Sequence, residues 1–191
     1  MDRSSIISEL CSPVEGHAEK ARRVIQESYP RADFSYSKRL YTPTECMKVY
    51  VRDGFIDRYS GQRLVFPGTL RALSIMLPDE FPFHANWKMN LTHPAFWELF
   101  PTIDHVVPVT RGGIDCEENW VTRSQLRNSA KANWTLEELS WELLPAGSIN
   151  QWDGLTRWFL GLVTRRADLL QNSYLRNWWR AAKACLPEQI A

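Results

Sequence analysis

The sequence predicts an α+β fold in which a small β core is flanked by N-terminal and C-terminal α-helices. Three observations predict it. Apolar residues recur at helical spacing towards both ends of the chain, and two short segments suited to strands enclose a glycine-containing loop around residues 103–122. The 191 residues, 44% apolar and 24% charged, suffice for about one domain with a buried core and a small appendage.

Val14, Ala18, Ala21 and Ile25, with Glu19, Lys20, Arg22 and Arg23 between them, predict a surface helix over Val14–Ile25. Tyr29 to Thr42 is polar and aromatic without a clear period. Pro43 followed by Glu45–Arg52 reads as a short helix with proline in its first turn, stopped by Asp53-Gly54. Phe55 to Phe66 alternates around Ser60-Gly61 as a β-hairpin does. Pro67, Pro78, Pro82, Pro94 and Pro101 punctuate the next stretch, allow only short helices over Leu70–Leu77 and Pro94–Phe100, and set it apart as an insertion. Ile103, Val106, Val107 and Val109 form a β-branched run fit for a strand, Arg111-Gly112-Gly113 a turn, and Asn119–Thr122 the returning strand. Ser124–Asn133 is helix-compatible, and Thr135 with Glu138 is a capping-box pattern opening a helix with Leu136, Leu139 and Leu143 on one face, ended by Pro145-Ala146-Gly147. Two amphipathic helices close the chain, one carrying Leu155, Trp158, Phe159, Leu162 and Val163, the other Leu175, Trp178, Trp179 and Ala182. The chain thus divides into an N-terminal helical segment over 1–42, a core over 43–134 with a proline-rich insertion at 67–101, and a C-terminal helical cap over 135–191.

Charge and cysteine usage narrow the function. With 23 Lys+Arg against 22 Asp+Glu the formal net charge is +1, so any site for a polyanion must be a local patch. No apolar run approaches the roughly 18 residues of a membrane span, and Met1-Asp2-Arg3-Ser4-Ser5 leads into no secretory apolar segment; a cytoplasmic protein is expected. Cys11, Cys46, Cys116 and Cys185 show no C-x-x-C spacing, which signals neither a disulfide framework nor a cysteine-rich zinc site. Nine tryptophans are a large aromatic payload, most of it expected in the core.

The informative stretch runs Thr102-Ile103-Asp104-His105-Val106-Val107-Pro108-Val109, Arg111-Gly112-Gly113, Glu118-Asn119-Trp120 and Leu126-Arg127-Asn128-Ser129-Ala130-Lys131-Ala132-Asn133. Each piece alone is weak, since a single strand histidine is more often a hydrogen-bonded core residue. Together they place an acid beside a histidine on a strand, an asparagine about 14 residues on, and an amide on the following helix. Phosphodiester hydrolysis needs an activated water and stabilisation of charge on phosphate and leaving oxygens. His105 has the side chain for the first task, because imidazole titrates near neutral pH. Asp104 and Asn128 supply hard oxygen ligands suited to Mg²⁺ or Mn²⁺.

This arrangement resembles the HNH endonucleases, in a His-Asn-Asn variant. Upstream, Val51-Arg52-Asp53-Gly54-Phe55-Ile56 and the knuckle-like Asp57-Arg58-Tyr59-Ser60-Gly61 resemble the segment before the family's catalytic hairpin, so the likeness covers roughly residues 45–66 and 101–134. The resemblance implies a ββα-metal catalytic core, His105 as general base, Asn119 as the residue that holds the loop and orients that histidine, and Asp104 and Asn128 as ligands of one divalent metal, Mg²⁺ or Mn²⁺. It implies hydrolysis of DNA, RNA being the other substrate to test, to a 5′-phosphate and a 3′-hydroxyl.

Two structural conditions follow. Neighbouring strand residues point to opposite faces, so Asp104 and His105 converge on one site only if the strand bends or ends there. Asp57 and Ser60 occupy the positions of the cysteine pair that braces many family members, so no structural zinc is expected and hydrophobic packing of Tyr59, Phe66, Trp120 and Trp134 is expected to brace the knuckle. Arg111, Arg123, Arg127 and Lys131 are candidate phosphate contacts, the last three spaced by four as on one helix face. Trp87, Lys88 and His93 of the insertion are candidate contacts at the rim of a substrate groove. The competing function is a non-catalytic nucleic-acid-binding or protein-interaction module, which an exposed Trp178-Trp179 flanked by Arg176 and Arg180 would favour. No sensor domain is recognisable, so control of a nuclease would fall to a regulatory protein partner.

Overall fold

Residues 3–31 and 39–186, apart from the side chains of Ser12 and Val14, are described by the computed structural model; they divide between an N-terminal unit, Met1–Ser37, and a larger unit, Lys38–Ala191. The N-terminal unit is a pair of helices, α1 (Arg3–Gly16) and α2 (Ala18–Ser28), packed on each other, with Ile6 and Ala21 buried. The single helix predicted over Val14–Ile25 is therefore two. The chain leaves helical geometry at His17 (φ −135°, ψ 62°), directly after Gly16, a residue with little to hold a helix together. Much of the aperiodic Tyr29–Thr42 stretch, residues 32–38, lies outside the described residues, as does the side chain of Val14.

In the larger unit α3 (Pro43–Arg52) starts as the sequence predicts. Thr42 and Glu45 form a reciprocal capping box with Pro43 in the first turn. The helix ends at Asp53 and Gly54, which takes the left-handed region (φ +63°); a Cβ there would lie 2.5 Å from the Gly147 carbonyl carbon, so both the turn and the close approach demand glycine. The expected hairpin over Phe55–Phe66 is instead a knuckle: Ile56 and Arg63 form a lone bridge, and the Asp57 carbonyl accepts from the Ser60 and Gly61 amides. Two antiparallel strands, β1 (Pro101–His105) and β2 (Trp120–Ser124), pair from Pro101↔Ser124 to His105↔Trp120. β1 lies ahead of the β-branched run that predicts it, because Pro108 and the 3₁₀ turn at Val109–Arg111 take that run out of the sheet.

The knuckle serves as the missing third strand. The buried Asp53 carboxylate accepts from the Thr122 amide (2.7 Å), the buried Asp57 carboxylate accepts from the Ser124 amide (2.9 Å) and, through its other oxygen, from the Tyr59 amide (3.0 Å), and the Arg58 amide donates to the Thr122 carbonyl (2.9 Å). Bracing by Tyr59, Phe66, Trp120 and Trp134 is thereby corrected: Trp134 is exposed, Phe66 sits in the main core, and buried carboxylates satisfy the free edge of β2.

After β2 the chain turns into α6 (Gln125–Lys131), capped by the Ser124 hydroxyl, and then α7 (Leu136–Leu139), opened by the Thr135–Glu138 capping box. Ser140 in the left-handed region stops α7, so Leu143 does not share its face. The insertion is no appendage. Its helices α4 (Pro67–Met76) and α5 (Ala95–Glu98) frame a second cluster in which Leu70 and Phe96 are buried with Phe81, Phe83 and Trp87 packed against them. Trp87 and His93 are half-buried in this cluster: Trp87 meets Phe96 and Phe100 edge-on, and His93 stacks on Phe81 at 4.3 Å, while Lys88 is exposed.

The last two helices, α8 (Thr156–Arg165) and α9 (Ser173–Cys185), belong to the main core instead of capping it. Trp178 is only 6% exposed and packs against Tyr50 and Phe66, so the exposed Trp178-Trp179 pair that a docking module would present is absent. Arg166 pairs with Asp168, and Arg176, one of the two arginines flanking Trp178-Trp179, donates to the Leu170 carbonyl. Among the described residues no helix is long and apolar enough to cross a membrane.

Candidate functional site

β1 ends at His105, and this ending brings Asp104 and His105 together. In the hairpin register His105 stands opposite Trp120, while Asp104 and Arg123 lie diagonally on the other face. Beyond the last pair the chain bends away, and Asp104, His105, Asn128 and Lys131 line one cavity of about 210 Å³. Lys131 at the end of α6 ties the corner, its Nζ donating to the His105 carbonyl at 2.6 Å. The condition set by strand alternation is thus met by termination.

Asn119 holds the connecting loop. Its Nδ2 donates to the Val107 and Ile114 carbonyls and its Oδ1 accepts from the Val107 amide, each at 2.9 Å. One amide therefore fixes the chain two residues after His105 and one residue before Asp115. Gly113 makes this closure possible, because a Cβ there would sit 1.9 Å from the Val107 carbonyl oxygen.

Asp115 gave no signal in the sequence, yet the structure sets its Oδ1 2.7 Å from His105 Nε2. Tyr41 O–H and Trp120 Nε1–H both donate to the same oxygen at 2.8 Å, and Arg39 Nε lies 3.7 Å from Oδ2. Burial opposes ionisation of Asp115, but the bonds from His105, Tyr41 and Trp120 outweigh it and hold the carboxyl below its ordinary pKa. Burial, reinforced by the bond to Asp115, pushes the Tyr41 phenol up, so it remains a donor. Arg39 and Tyr41 also line the cavity.

Asp104 sits in a denser setting. Its Oδ2 accepts from Tyr59 O–H at 2.8 Å and lies 2.8 Å from Arg123 Nη1 and 3.0 Å from Lys131 Nζ. Both cations have 0% side-chain exposure, and the Arg123 guanidinium lies over the Tyr59 ring (5.0 Å) and the Trp141 ring (5.7 Å). None of the guanidinium nitrogens has an aligned hydrogen bond, so ring faces and Coulomb attraction are what stabilise it. Burial lowers the Lys131 pKa against the pull of Asp104. Lys131 and Arg123, expected as phosphate contacts on one helix face, are thus corrected to a buried cluster against Asp104; Arg123 lies in β2, not on a helix. Arg127 remains half-exposed, donating to Gln62 at 2.9 Å, and Arg111 lies 3.6 Å from Glu138.

Asn128 donates weakly through Nδ2 to the Ile103 carbonyl (3.4 Å), so Oδ1 is the atom it could offer to a cation. Among the described residues no group of three His, Cys, Asp or Glu side chains is gathered. The candidate set is instead one carboxylate and one amide oxygen, a hard donor pair that fits Mg²⁺ or Mn²⁺ and leaves most of the coordination sphere to water and phosphate. With Oδ2 of Asp104 taken by the Tyr59 hydroxyl and two cations, Oδ1 is the oxygen left for a metal ion. Comparison with family models, with curated proteins and with solved structures returned no match.

Proposed function

We propose that this chain is a metal-dependent endonuclease of the HNH kind, hydrolysing phosphodiester bonds in DNA. The observation that carries the reading is the convergence of His105, Asp104 and Asn128 on one cavity at the end of β1, in the order strand, loop, strand, helix. His105 takes the proton from a water whose oxygen bonds to phosphorus as the P–O3′ bond breaks, leaving a 5′-phosphate and a 3′-hydroxyl once the departing oxygen is protonated. Asp104 and Asn128 would hold Mg²⁺ or Mn²⁺, which when bound supplies charge stabilisation at the phosphate and leaving oxygens. Lys131 on the cavity wall adds fixed positive charge on the same side, and Asn119 keeps the loop from drifting off His105.

The test is cleavage of supercoiled plasmid and single-stranded DNA by the purified protein with Mg²⁺ or Mn²⁺, with an RNA arm. Cleavage that is abolished by EDTA and falls about 10²–10⁴-fold in His105→Ala, with the fold kept, supports the reading. A folded protein that binds DNA and cleaves nothing with either metal overturns it in favour of a binding module.

A further inference from the structure

We infer that Asp115 is the positioning residue that selects the Nε2–H tautomer of His105, so that Nδ1 carries the lone pair available as the base. The role of Nδ1 rests on the nuclease reading, whereas the tautomer itself does not. The two atoms are 2.7 Å apart. Were Nε2 unprotonated, its lone pair would face a carboxylate oxygen at that distance; with the proton on Nε2 the same contact is a charge-assisted hydrogen bond. A neutral imidazole has one N–H, and placing it on Nε2 leaves Nδ1 bare.

The surrounding donors agree. The Trp120 indole has a single hydrogen and lies 2.8 Å from Asp115 Oδ1 but 3.2 Å from His105 Nε2; with Nε2 protonated, that hydrogen goes to the carboxylate. Tyr41 O–H likewise donates to Oδ1, its distance to Nε2 being 3.4 Å. His105, Trp120 and Tyr41 thus present three donors to one oxygen. Asp115 is in turn held by the Asn119 bond to the Ile114 carbonyl. Outer groups of this kind commonly fix ring orientation and tautomer in catalytic histidines.

The test uses the whole chain with ¹⁵N-labelled histidine, in EDTA, at a pH where the spectra themselves show the His105 ring neutral. His105 is assigned by loss of its signal in His105→Gln, and long-range ¹H–¹⁵N spectra report which nitrogen carries the proton. Wild type is expected to show the proton on Nε2. In Asp115→Ala the indole hydrogen of Trp120 is free to turn to Nε2, so the population moves towards Nδ1–H; Asp115→Glu restores the wild-type form. Cleavage by Asp115→Ala is expected to fall about 10–100-fold with DNA affinity unchanged. A wild-type proton on Nδ1 overturns the proposal at once, as does a tautomer unmoved in Asp115→Ala. A moved tautomer with unchanged cleavage removes Nδ1 as the base. Should the tautomer respond as stated while wild type cleaves nothing, the nuclease reading falls and the assignment of Asp115 stands.

Discussion

Asp104 carries two jobs that a mutant cannot separate easily. It is a candidate metal ligand, and it is also the carboxylate that meets both fully buried cations, Arg123 and Lys131. Removing one member of a buried ion cluster leaves uncompensated charge, which typically destabilises by about 3–5 kcal/mol. Asp104→Ala is therefore expected to lose about that much stability, read as a lower urea midpoint, and its loss of activity would say little about metal binding. Asn128→Ala, whose side chain makes only a weak 3.4 Å bond, is the cleaner probe of the ligand pair. The Lys131 bond to the His105 carbonyl does not depend on the ring, so His105→Ala keeps that tie at the corner while losing the ring's bond to Asp115.

At the scale of the element, the knuckle at 57–61 is tied to the strand edge by a buried carboxylate. Asp57 satisfies the Ser124 amide at the junction of β2 and α6 and the Tyr59 amide within its own turn. Buried donors left without partners cost about 1–3 kcal/mol each, so Asp57→Ala is expected to destabilise by that order. Hydrogen exchange checks it: the Ser124 amide should lose protection before the amides of α9 do. An unchanged Ser124 amide would mean that the knuckle does not hold the strand edge. Because α6 begins at Gln125, a loosened β2 end also displaces Asn128 and Lys131, and the site inherits its precision from this junction.

At the scale of the whole molecule, the larger unit is closed by its last helix. Tyr50 of α3, Phe66 and Trp178 of α9 meet in one aromatic group, with Phe159 of α8 against Phe66. Trp178→Ala is expected to cost about 3–5 kcal/mol, read by thermal unfolding, although it lies far along the sequence from every site residue. A small effect would mean that α9 does cap a core complete without it. The insertion, with its separate aromatic cluster, shares α4 with that core, since α4 packs on both α8 and α9.

Local signals decided what the sequence could determine. The capping box at Thr135 and the proline at 43 act within a few residues of themselves, so the starts of α3 and α7 were legible. The tertiary structure alone decided the rest. Strand propensity over Ile103–Val109 yielded to Pro108 and to the register with β2, because pairing rewards partners rather than intrinsic preference. Arg123 and Lys131 have the spacing of phosphate contacts on a helix face, but folding buries them against Asp104, Tyr59 and Trp141. Asp115 lies ten residues from His105 in a loop, and nothing in its neighbours marks it. Its place on His105 depends on Asn119, Gly113 and the two rings that aim at it, contacts between residues distant in the chain. Chemistry is written in residue type and spacing, but which atom faces which is set by packing.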